Sequence, residues 1–111
     1  MTVTVTVLIP AKIAEAAQTT QYTSTGVTTI IDKFTATNYS GAAATISVNL
    51  VTTASSAGNE NLITKTKTLQ PSEVYTFPEI VGQILTSGDF ISTIAGNATS
   101  INIRASGRQV T

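Results

Sequence analysis

The chain opens with Thr2-Val3-Thr4-Val5-Thr6-Val7, a strict period-two alternation of β-branched residues. Branching at Cβ stiffens the side chain and suits a pleated, half-buried surface better than a helix. This period puts Val3, Val5 and Val7 on one face and Thr2, Thr4 and Thr6 on the other, so the segment is expected to be a strand whose valine side is dry. Leu8 and Ile9 extend it until Pro10 removes a backbone donor.

The same signature recurs along the chain. Residues 18–23, around Tyr22, read as a short strand ending in the turn Ser24-Thr25-Gly26. Residues 27–38 read as a long one. Ile30, Phe34 and Ala36 are expected to face the core with Asp32 near a bend or rim, and Ile31, Lys33, Thr35 and Thr37 to face away. Asn38-Tyr39-Ser40-Gly41 reads as a hairpin-type connection to 45–52, where Ile46, Val48 and Leu50 share a face. Further strands are expected at 62–69, with Lys65 and Lys67 on one side, and at 74–77, 90–95 and 98–105. Gln70-Pro71-Ser72-Glu73 and Gly96-Asn97 are turns. Residues 11–17 set helix-favouring Ala and Glu against a length too short for a helix without tertiary support, and are read as extended or irregular. Apolar pairs four apart over 78–85 predict one or two helical turns. About eight strands at such spacing make an all-β, single-domain antiparallel sandwich or a squat barrel.

Composition narrows the chemistry. The 111 residues include no His and no Cys, which leaves no zinc site of the usual kind, no cysteine nucleophile and no Ser-His-Asp triad. Charged residues make up only 11% and balance to zero, so a basic surface for nucleic acid is not expected. Neither a leader of basic and apolar residues nor a window of about 20 apolar residues is read, and no membrane span is expected. Threonine (22) and serine (10) supply the polar surface, with hydroxyls in place of ions.

The titratable residues form no reactive pattern. Asp89 and Glu73 sit in turns, where carboxylates bond their own backbone; Asp32, Glu15, Glu60 and Glu79 stand alone. No acidic cluster suits calcium, no glycine-rich loop suits phosphate, and no cofactor is expected. Lys65 and Lys67 protect an edge or meet an acidic partner. Arg104 and Arg108 lie on a solvated strand face or grip a carboxylate of another subunit. Tyr22, Tyr39 and Tyr75 pack half-buried at strand ends, or stack on sugar rings as in a carbohydrate-binding module. The polar stretch 53–61 is expected to project into solvent or onto a partner. The flat, uncharged segment Thr2–Ile9 is an aggregation hazard as a free edge. It is therefore either an internal strand or one covered by another chain.

The run Phe34 to Val48 (Phe-Thr-Ala-Thr-Asn-Tyr-Ser-Gly-Ala-Ala-Ala-Thr-Ile-Ser-Val), with Thr68-Leu69-Gln70-Pro71-Ser72-Glu73 and Leu85-Thr86-Ser87-Gly88-Asp89-Phe90-Ile91, resembles small β-sandwich virion proteins of tailed bacteriophages. Length and order are most similar to the capsid decoration (cement or staple) proteins of short-tailed phages. The resemblance covers roughly residues 18–107 and leaves the first 17 as a partner-contacting strand or arm. It implies a jelly-roll-like sandwich, made in the bacterial host cytoplasm, that sits on the outer capsid surface and bridges subunits of the major capsid protein without catalysis. A small homo-oligomer, most simply a dimer, fits a symmetric shell. The expected contact residues are Thr2, Val3, Thr4, Val5 and Thr6, the loop residues Ser55, Ser56, Asn59 and Glu60, and Arg104 and Arg108. A neck, tail or fibre module is the alternative within the same group.

Overall fold

The computed structural model describes residues 1–111. Nine strands follow one another: β1 (Val3–Ile13), β2 (Thr19–Thr23), β3 (Thr28–Asn38), β4 (Ala44–Val51), β5 (Leu62–Leu69), β6 (Val74–Thr76), β7 (Ile84–Leu85), β8 (Phe90–Ala95) and β9 (Ile101–Val110). One sheet has the order β1-β9-β3-β6, with β7 also on β3; the other has the order β2-β8-β4-β5. All pairings are antiparallel. They are nested: β1 with β9, β2 with β8, β3 with β6 and β7, β4 with β5. The chain is thus one long hairpin wound on itself with its tip at residues 52–61, which is the jelly-roll arrangement.

Between the sheets lie Ile9, Ile31, Phe34, Ile46, Val48, Leu69, Phe77, Ile91, Ile101 and Ile103, all without solvent exposure. Phe34 meets Phe77 edge to face at 4.9 Å, and Tyr75 continues the stack on Phe77 at 4.8 Å. The far edge of the sandwich is clasped by polar contacts. Glu79, after β6, accepts hydrogen bonds from the hydroxyls of Thr64 on β5 and Tyr75 on β6. Lys67 Nζ lies 4.6 Å from the centre of the Tyr75 ring. Burial pushes the Glu79 carboxyl up, but these hydroxyls, a backbone hydrogen bond and Lys67 outweigh it, and the group titrates below its ordinary value.

Several expectations change on folding, mostly because single-residue irregularities invert the alternation. Along β3 the pairing with β9 slips between Ile31 and Lys33. Asp32 is the extra residue, so Thr29 and Ile31, not Ile30, share the buried face with Phe34 and Ala36. In β5 the pairing slips between Thr64 and Lys67, and Thr66 has φ +49°. Lys65 and Lys67 therefore lie on opposite faces: Lys67 leans on Tyr75, and Lys65 points outward beside Ser47. The segment 34–48 forms two strands, as expected, but they belong to different sheets. Buried Asn38 turns the chain across the sandwich, donating to the carbonyls of Ala42 and Leu69. It also accepts from the Ser40 backbone and hydroxyl. The helical turn near 78–85 is confined to 77–82, closed by the Val81 N–H on the Phe77 carbonyl. Ile84 and Leu85 instead form β7. Pro10 does not end β1, because an edge strand tolerates a missing donor.

Candidate functional site

β1 is the edge of its sheet. It pairs with β9 and with nothing on its other side. Its inner end belongs to the core, for Leu8, Ile9 and Ala14 are buried. Residues 1–7 are exposed apart from half-buried Thr6, so the exposed arm is shorter than 1–17.

The phase of this arm follows from its pairing. Thr2 N–H bonds the Thr111 carbonyl at 3.3 Å and Thr111 N–H returns the bond at 3.0 Å. The register continues without a slip from Val3 opposite Val110 to Val7 opposite Ser106. In an antiparallel ladder such mutually bonded pairs alternate. Thr2, Thr4 and Thr6 thus aim their backbone groups at β9. Val3, Val5 and Val7 aim theirs at the open side, where nothing receives them.

The side chains also alternate, in the phase opposite to that expected. Thr4 faces Gln109 and Thr6 faces Gly107 on the inward side, and Val3, Val5 and Val7 stand outward with Val110, Arg108 and Ser106. The cause is the slip after Val7: Leu8 and Ile9 both lie opposite Ala105 and both point inward, which sets the phase of everything before them. Val5 is 80% exposed, Val3 50% and Val7 44%.

The outward valines belong to a larger apolar face. Val5 lies opposite Arg108, Arg108 opposite Ile30, and Ile30 opposite Ile84, one row across four strands. Ile84 is 58% exposed. The aliphatic stem of Arg108 lies within this row, and its guanidinium is turned onto Asp32, with Nη2 2.9 Å and Nε 3.1 Å from the carboxylate oxygens. Arg108 is thus engaged within its own chain. Arg104, further along the same face, has no ion partner. It shares a shallow depression of about 270 Å³ with Lys33, Thr35 and Ser106.

The other expected contact region, 53–61, folds back on its own sheet and does not stand free. Asn49 of β4 donates to the Gly58 carbonyl and to Asn61 Oδ1, and Asn61 donates to Ser56 O. A 3-10 turn spans Asn59–Asn61. Ser55, Ser56, Asn59 and Glu60 remain exposed on its outer side. The root of the loop is tied to the neighbouring turn by the Thr53 N–H on Asp89 Oδ1 at 2.9 Å. Asp89 also accepts from the Thr86 N–H and hydroxyl. Burial raises its pKa, and these bonds outweigh that and hold it below the ordinary value. Through Ser24, bonded to Gly88 and Asp89, this loop root lies at the end of the sandwich where β3 begins and β9 ends. The arm enters from that same end.

The tyrosines form no common platform. Tyr22 donates to or accepts from Thr29 and receives Gln109, Tyr75 packs against Phe77, and Tyr39 alone is half exposed. No three His, Cys, Asp or Glu side chains gather at one place. No helix is long and apolar enough to cross a membrane. The sequence singled out the arm but missed Ile30 and Ile84; only the Asp32 bulge and the two-residue β7 bring them beside it. No protein-family model, curated protein or solved structure matches the chain.

Proposed function

We propose that this is a non-enzymatic structural protein of a phage particle, a capsid decoration protein that binds the outer shell and staples neighbouring subunits of the major capsid protein. The observation that carries the reading is the open edge of Val3, Val5 and Val7: unpaired backbone groups beside outward apolar side chains, with no charge among them. Such an edge is a ready template for pairing with another chain, and cover by another protein removes that hazard. The jelly-roll frame and the likeness of the 34–48, 68–73 and 85–91 segments to phage virion sandwiches support the setting. The mechanism is mass action. A binder specific for the assembled shell stabilises it by about 2.7 kcal/mol per site at a hundredfold excess over its dissociation constant, and attachment at several points multiplies this.

The test is a count of copies on purified particles with labelled antibody against this chain. Hundreds of copies spread over the shell are expected. About six or twelve at one vertex, as tail symmetry requires, would make it a tail or neck component instead; absence from particles would overturn the reading.

A further inference from the structure

We infer that the cover of β1 is a second copy of this chain, the two β1 strands pairing antiparallel about a two-fold axis at Val5. The four strands that end the two sheets are not alike. β6 and its neighbour β7 have three and two residues, and β2 has five with a slip at Gln21. β5 carries the Thr66 bulge and the outward Lys65. Each of these devices hinders another strand from adding. Only residues 2–7 of β1 are straight, uncharged and unobstructed.

The open stretch is also self-complementary. It is paired with β9 without a slip from Val3 to Val7 and ends at the Leu8 slip and at Pro10, which has no donor. Val3, Val5 and Val7 are its backbone groups facing outward, and Val5 is their midpoint. Rotation about Val5 sets Val3 against Val7 of the second copy and Val5 against itself. Each of these pairs exchanges two hydrogen bonds, so all three valines are satisfied at once. An axis at Thr4 would set Val7 against Met1, and one at Thr6 would set Val3 against Ile9 beyond the slip, so only the axis at Val5 pairs the three valines among themselves. A two-fold of this kind needs one surface to fit itself, and this one does. Charge agrees: no charged side chain occurs before Lys12, and the nearest in space, Arg108, is neutralised by Asp32. A partner strand bearing charges would find no counter-charge here, whereas a copy of this uncharged strand needs none. The rotation keeps both outward faces on one side, so the rows Val5–Arg108–Ile30–Ile84 of the two copies join into one floor of aliphatic side chains crossed by the Arg108–Asp32 pairs. This inference deepens the stapling proposal and relies on it for what that floor meets.

The strand contact alone is smaller than a standard interface, so the pairing is read at concentrations up to about 1 mM. Sedimentation of the whole chain should show monomer and dimer, and Val5→Lys should weaken the dimer about a hundredfold by placing like charges together. The chain has no cysteine. On oxidation, Val5→Cys should therefore yield a covalent dimer. Val3→Cys alone should not, while a mixture of Val3→Cys and Val7→Cys should. A chain that stays monomeric at about 1 mM, or Val3→Cys linking to itself as well as Val5→Cys does, would overturn the inference. Failure of the pairing with copies still found on particles would leave the stapling reading standing. A cross-linked dimer that is absent from particles would sustain the pairing and remove the stapling.

Discussion

The two outer strands β1 and β5 pose the same problem and solve it differently. Both are long edges with unpaired backbone groups. β5 spends conformational strain and charge on keeping other strands away: Thr66 is forced to φ +49°, and Lys65 is turned outward by the resulting bulge. Glu79 and Tyr75 then clasp its inner face to the opposite sheet. The arm of β1 has none of this. The irregularities of β1 begin at Leu8, where the arm meets the core, and residues 2–7 before it are straight in register with uncharged side chains. One edge is guarded and the other is left open, and the open one is where the proposed partner would pair.

The largest effect on this contrast is expected at the arm's root. A Cβ on Gly107 would lie 2.1 Å from the Ile30 carbonyl and 3.0 Å from Leu8. Gly107→Ala should therefore lower stability by about 3 kcal/mol in chemical denaturation. An unchanged midpoint would mean that β9 does not pin the arm as described. Next comes the β5 bulge. A β-branched residue in the left-handed region is strained by about 1–2 kcal/mol. Thr66→Gly should relieve most of this, and a net stabilisation of about 1 kcal/mol is expected. A loss of stability would show that Thr66 is not strained.

The clasp also makes one edge pH-sensitive. Glu79 has a lowered pKa in the folded chain, so its contribution is present above the ordinary carboxylate value and is lost as pH falls through the lower, folded one. Thermal melts between about pH 5 and pH 3 should decline less steeply in Glu79→Gln than in the parent. Equal slopes would remove Glu79 from the account. The smallest effect on folding is expected on the arm itself. Val5→Lys, at a residue 80% exposed, should change stability by less than about 0.5 kcal/mol. A larger loss would mean that Val5 serves the monomer's own packing.

Alternation made the strands legible, and with them the all-β class and the polar turns. Asp89 and Glu73 do bond backbone N–H groups of their own or a neighbouring turn, as short-range chemistry requires. What alternation could not give is phase. A bulge adds one residue and exchanges the two faces; Asp32 signals a bend but not its effect on phase, and nothing in Lys65-Thr66-Lys67 or Leu8-Ile9 marks one locally. Alternation alone therefore sets the valines of the arm inward, although Leu8 and Ile9 turn them out. The link from 34–38 to 44–48 failed for a similar reason: a turn sequence fixes a reversal of the chain, not the sheet in which the next strand lands. Of the proposed contact surface, the arm is legible in the sequence, whereas the pairing of Arg108 with Asp32 of its own chain and the placing of Ile30 and Ile84 are not.

Residue-resolved amide exchange tests the central claim most directly, because alternate residues of one strand serve as each other's control. In the dilute chain the amides of Thr4 and Thr6 should exchange slowly and those of Val3, Val5 and Val7 fast. In the assembled state all five should be slow. Fast exchange of the three valines in the assembled state, or protection of all five in the dilute monomer, would contradict an arm held open for a neighbour.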